Sequence, residues 1–185
     1  MSRRYLWGAL ALLPTLLLIG PLRHLVESHM SLHMLVEFPL LLAAGWAWGR
    51  WLPRKLDSAV DAQGLLGVTV ASCVLAFWMI PAALDLALLS PAAAAGKYLS
   101  WLAAGTLLAW GRQRLGAVVG CFFLGNAAWM TATAGLLYRE ADVQLCVNYL
   151  VSDQLAAGDG LIVAALVLGA LALLRLRPLL NYGRP

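Results

Sequence analysis

The segment LVESHMSLHMLVEFPLLLAAGWAW, residues 25–48, decides the fold. Crossing about 30 Å of hydrocarbon takes roughly 20 mainly apolar residues, and this run is long enough to do so. It ends in Arg50-Trp51-Leu52-Pro53-Arg54-Lys55, a basic and aromatic flank of the kind that sits at a membrane interface. Lipid offers no partner for an unpaired peptide group, so a run of this length is helical.

Working outward, five further apolar runs are separable, at residues 5–22, 64–89, 93–110, 116–138 and 155–174. The chain is 62% hydrophobic and only 12% charged. A soluble domain is about a quarter charged, so composition alone points to the membrane class. The reading is an all-α, polytopic bundle of about six transmembrane helices forming one domain over residues 1–185. Pro81 falls inside the run 64–89 and is expected to kink it or end its regular part. The first run follows Ser2-Arg3-Arg4 as a signal peptide would, but Pro21-Leu22-Arg23-His24 offers no small-x-small cleavage site. It is read as an uncleaved first helix.

Lys and Arg bias sets the orientation. With the N-terminus inside, the inner loops and ends carry Arg3, Arg4, Arg50, Arg54, Lys55, Arg112, Arg114, Arg175, Arg177 and Arg184. The outer ones carry Arg23, Lys97 and Arg139, and ten against three favours N-in and C-in. Trp7, Trp46, Trp48, Trp51 and Trp110 then fall at inner ends. The net charge of +4 is dispersed in these topogenic clusters and does not imply nucleic acid. Cys73 and Cys121 lie in apolar runs and Cys146 in a loop, with no CxxC pair and no disulfide framework.

The same topology puts His24, His29 and His33 in the outer half, with seven of the nine acidic residues: Glu27, Glu37, Asp85, Glu140, Asp142, Asp153 and Asp159. On a wheel of about 100° per residue, His29, His33, Glu37, Met30, Met34 and Glu27 share one arc. Two imidazoles at i and i+4 beside two thioethers suit copper, Cu(I) in particular. Glu37 lies about two turns into what should be hydrocarbon, where an ionisable group marks a functional site by default. Met79, Asp85, Asn126, Met130, Thr133, Asp153, Gln154 and Asp159 could close a pocket at a similar depth, and His24, Met79, Met130 and Cys146 are possible additional ligands. Each has a plainer reading: histidine among headgroups, methionine as core filler, Asp153 as the N-cap of its own helix, Gly158 as a helix-packing residue. There is no HExxH, no GxSxG elbow, no P-loop and no dinucleotide fingerprint, so bond-making catalysis is not implied.

His29-Met30-Ser31-Leu32-His33-Met34-Leu35, followed by Pro39 and three leucines, resembles the CtaG-type cytochrome c oxidase assembly family, which carries a His-Met-x-x-His-Met/Leu motif. Asp153-Gln154-Leu155-Ala156-Ala157-Gly158 is similar to that family's Asp-Gln-x-x-Ala-Gly motif at the start of a late helix. The resemblance implies an assembly factor of the bacterial inner membrane that delivers copper to a haem-copper oxidase on the extracytoplasmic side. Its expected ligands are His29, His33, Met30 and Met34, with Glu37, Asp153, Glu27, Asp85 and Asp159 orienting them or balancing protons. Expected partners are membrane lipid, an oxidase subunit or copper chaperone, and a second copy of the chain. An ion or proton transporter, a haem- or quinone-binding electron-transfer subunit, and a purely structural oxidase subunit stand as alternatives. Bis-His haem ligation within one chain is awkward, because all three histidines lie in one stretch.

Overall fold

The computed structural model describes residues 8–9, 11–12, 16, 20–53, 61 and 63–181. Most of the first apolar run, with Arg3, Arg4 and Trp7, lies outside the described residues, as do Arg54, Lys55, Asp57 and Arg184. Among the described residues the regular structure is helical and no strand occurs. The elements that position the site are α1 (Gly20–Glu27), α2 (Met30–Trp51), α3 (Leu65–Trp78), α4 (Pro81–Leu89), α5 (Pro91–Gly111), α6 (Ala117–Glu140) and α7 (Val151–Asn181).

The stretch 25–48 is not one helix. It breaks at Ser28 and His29, and the backbone of His29 is extended at φ −121° and ψ 131°. Glu27 therefore belongs to α1, and the single wheel drawn through Glu27 and Glu37 does not apply. Within α2 the turn His33–Glu37 is a π-helix between α-helical segments. Pro39 explains its place: it has no N–H for the Leu35 carbonyl and its ring crowds that carbonyl, so the turn before it widens.

Pro81 acts as expected. α3 stops at Trp78, α4 starts with Pro81 in its first turn, and the two meet at 81°. α2, α6 and α7 are long and apolar enough to cross a membrane, and α3 with α4 makes a fourth candidate if the bent pair counts as one span. α5 has 21 residues but does not join them; Lys97, Tyr98, Ser100 and Thr106 dilute its hydropathy.

α5 buries one face against its neighbours and leaves the other, with Leu99 and Ala103, exposed. It runs parallel to α2, with Gly45 and Gly105 bringing the two backbones into contact. A Cβ at Gly49 would lie 2.6 Å from the Thr106 carbonyl oxygen, so a larger residue would force the helices apart. The Thr106 hydroxyl donates across the seam to the Gly45 carbonyl at 3.0 Å. α6 and α7 form a second close pair, in which a Cβ on Gly158 would meet the Gly135 carbonyl oxygen at 2.8 Å. The packing role read for Gly158 is thus present. Small residues let van der Waals contact and polar bonds hold helices together where lipid supplies no hydrophobic drive.

α2, α5 and α7 start at the same end of the bundle, with Glu37 opposite Lys97 and Asp153 against Met30. Arg112, Arg114 and Arg175 lie toward the opposite end, where the Arg114 guanidinium donates to the Asp61 carbonyl at 2.8 Å. Between the ends runs an apolar cavity of about 450 Å³, lined by residues including Met34, Phe38, Leu75 and Phe123, with Arg112 and Arg175 at its basic end.

Candidate functional site

The site is assembled from three separate parts of the chain. Glu27 comes from the last turn of α1, His33 and Glu37 from the ends of the π turn, and Lys97 from α5, six residues after Pro91. The Lys97 ammonium is fully buried and lies 2.8 Å from Glu27 Oε1, 2.8 Å from Glu37 Oε1 and 2.9 Å from His33 Nε2. The contacts to Glu27 and His33 are hydrogen bonds, and that to Glu37 is an ion pair. His33 Nε2 then acts as an acceptor, which leaves the proton on Nδ1. That nitrogen donates to the Tyr149 hydroxyl at 2.6 Å. The tautomer follows from the ammonium, which can only donate, so the nitrogen it faces has to accept. His33 Nε2 is also 3.3 Å from Glu37 Oε2.

Arg23 completes the charge balance, its Nε reaching Glu27 Oε2 at 2.7 Å. Two carboxylates then face two cations around a neutral imidazole. Buried charges are tolerated only when paired in this way. The Lys97 ammonium also lies 4.9 Å from the centroid of the Tyr98 ring, a cation–π distance. Phe38 closes the apolar side, with its ring centroid 5.2 Å from that of His33 and 5.0 Å from that of Trp101.

The loop 141–150 delivers Tyr149. Asp85 accepts from the Val147 amide at 2.9 Å and from the Asn148 side chain at 2.9 Å. The Gln144 amide donates to the carbonyls of Cys146 and Tyr149. Gln154 is buried; it accepts from the Leu145 amide at 2.8 Å and donates to the Tyr138 carbonyl at 3.0 Å. Burial, followed by the charges of Glu27 and Cys146, pushes the Tyr149 phenol well above its ordinary value. Burial likewise pushes the Cys146 thiol up to about 12.

The residues singled out in the sequence separate into different environments. His29 stands at the N-cap position of α2 without a side-chain cap bond; its side chain is 61% exposed, and its Nδ1 is 3.7 Å from Asp153 Oδ1. His33 is fully buried. Met30 and Met34 sit in the apolar core with Phe38 and Leu41. Asp153 does not cap its own helix; it accepts from the Met30 amide and, at 3.1 Å, from the Ser31 hydroxyl, so it caps α2 from α7. Asp85 staples the loop, and Asp159 is exposed and paired with Arg139 at 2.8 Å. Met130 receives the Asn126 amide at 3.2 Å, and the Met79 carbonyl receives the Tyr138 hydroxyl at 2.9 Å. The Thr133 hydroxyl donates to the Trp129 carbonyl. Cys146 Sγ lies 3.8 Å from the Pro81 carbonyl, and His24 is exposed. Among the histidines, cysteines and carboxylates of the described residues, Glu27, His33 and Glu37 form a group whose donor atoms lie within 4.8 Å of one another.

Lys97, Tyr149 and Arg23 were missed as site residues. For Lys97 a signal existed: it stands inside an apolar run rather than at its edge, where a lysine would mark topology. Tyr149 had no comparable signal, because only the folded loop carries it to His33. Comparison of the chain with protein-family models, with curated proteins and with solved structures gives no match.

Proposed function

We propose that this protein is a copper-handling assembly factor of the bacterial inner membrane, with its site on the extracytoplasmic side and a haem-copper oxidase or copper chaperone as partner. The observation that carries the reading is that two motifs about 120 residues apart in sequence meet in space: Asp153 binds the backbone of Met30 and the side chain of Ser31, next to His29. Copper is the cargo in this reading. The exposed His29 is its outer ligand, and His33, beside Glu27 and Glu37, is the inner one. A nitrogen with two carboxylate oxygens suits a divalent ion such as Cu(II) better than Cu(I). The separation of the end bearing Glu27 and Glu37 from the end bearing Arg112, Arg114 and Arg175 supports the N-in, C-in orientation.

The test is copper content of the purified protein against a His29→Ala/His33→Ala variant. Wild type is expected to retain copper that the variant loses; equal content would overturn the reading. A second reading has one observation in its favour. Arg23, Glu27, Lys97, His33 and Tyr149 form a continuous polar chain, as a proton-handling protein requires. Proton uptake into proteoliposomes, abolished by Lys97→Met, would favour it.

A further inference from the structure

We propose that the Glu27–His33–Glu37 cage is a binding site for a divalent transition-metal ion and that Lys97 is its tethered placeholder, a side-chain cation that leaves when the ion enters and returns when it is released. This rests on the metal-handling reading and adds to it the class of ion, the ligand set and the release device.

Three acceptors from two helices converge on one point, and a cation already stands there. The distances of 2.8–2.9 Å are those of an ammonium ion. Zinc and its neighbours bind imidazole nitrogen and carboxylate oxygen at about 2.0–2.2 Å, so loading draws the three side chains inward by under 1 Å. One nitrogen and two carboxylate oxygens favour Cu(II) or Zn(II). Mg(II) and Ca(II) take six or more oxygens, which the cage does not offer. Met30 and Met34 pack in the apolar core with Phe38 and Leu41.

A metal cage with two buried carboxylates faces a difficulty when empty, because unpaired charges in a dry site are costly. Lys97 removes it by neutralising the site between loading events. Its long stem lets the ammonium move without moving α5. Lying six residues from the start of that helix, or about 9 Å along it, the ammonium can extend toward the polar interface in the manner of snorkelling lysines. Because ion and ammonium compete for the same oxygens, Lys97 weakens metal binding and favours release, as a delivery protein requires.

The experiment compares wild type, Lys97→Gln and Lys97→Gln/Glu37→Gln in detergent, each titrated with CuCl2, ZnCl2 or MgCl2. Melting temperature and metal retained after desalting are read. Glutamine keeps N–H donors while removing the competing charge. Lys97→Gln is expected to retain one Cu(II) or Zn(II) per chain and to bind about tenfold or more tightly than wild type, within the range of ordinary coupled sites. Its melting temperature should rise with Zn(II) and not with Mg(II), and the double variant should lose both effects. Equal binding by wild type and Lys97→Gln, or retention by the double variant, overturns the proposal. If Lys97→Gln does not fold without metal, its recovery in ZnCl2 but not MgCl2 supports the proposal, and recovery in neither overturns it. Copper held by wild type, lost in His29→Ala and indifferent to Glu37→Gln would sink the cage but leave copper handling standing. Zn(II) held by the cage in a protein that carries no copper from cells would do the reverse.

Discussion

Removing the Lys97 charge tests whether the buried cluster holds the helices together as a unit. Lys97→Met leaves Glu27, Glu37 and His33 without the cation that all three face at 2.8–2.9 Å. Breaking a buried pair in this way costs about 3–5 kcal/mol, because the partner charge stays in a dry site. Total stability is about 5–15 kcal/mol, so the variant should be severely weakened. For a chain of this size that corresponds to roughly 6–20 °C in melting temperature. Charge counting then predicts the double variant. Lys97→Met leaves a net −1 among Arg23, Glu27, Glu37 and Lys97, and Glu37→Gln alone leaves +1; together they restore neutrality with the Arg23–Glu27 pair intact. The double variant should therefore melt well above the sum of the single losses, with a coupling of about 2–3 kcal/mol. Thermal unfolding in detergent, followed by circular dichroism at neutral pH without added metal, measures all four proteins. Additive losses, or an unchanged midpoint in Lys97→Met, would show that the charges are not coupled.

Asp153→Ala should cost about 0.5–2 kcal/mol through loss of the cap on α2, and Asp153→Asn less, because an acceptor oxygen remains; chemical denaturation of both separates the two. Gly105→Ala should destabilise by about 1–3 kcal/mol, since the added methyl meets the α2 backbone, whereas Gly125→Ala, where a Cβ has open space, should be neutral or mildly stabilising in the same melt. Cys146 should resist iodoacetamide in the folded protein at pH 8, where a thiol with a pKa of about 12 is ionised in roughly one molecule in ten thousand; mass spectrometry of the alkylated peptide reads this, and rapid labelling would contradict the buried loop. Tyr149 gives a pH signature: its folded pKa is raised above an unfolded value of about 10, so its contribution is present below pH 10 and lost as pH rises toward the folded value. The stability gap between wild type and Tyr149→Phe should shrink above about pH 10, and a widening gap would reverse the assigned sign.

Much of the helical layout was legible from hydropathy and from proline. The break at Pro81 followed from a ring that cannot join a helix interior. Glu37 was legible as a functional candidate, because a carboxylate in an apolar run needs a partner. Its partner was not, since Lys97 is 60 positions away and carries the sign that loop statistics assign to topology. The helical wheel misplaced Glu27, because it assumes one unbroken helix; the start of α2 is set instead by Asp153, from a helix about 120 residues later. Histidine spacing likewise placed His29 and His33 on one arc, but the bundle leaves one exposed and buries the other.

By itself the sequence determined what each segment must do with its own backbone and surface. Apolar length, proline and small residues act locally and can be counted along the chain, so they settled helical class, the break at Pro81 and the feasibility of close packing. The tertiary structure decided which buried charges meet. Pairing in a dry interior depends on ångström distances between side chains from different helices, and no periodicity within one segment encodes them. That is why the site centres on Lys97, held by Glu27, His33 and Glu37, and not on a pair of histidines.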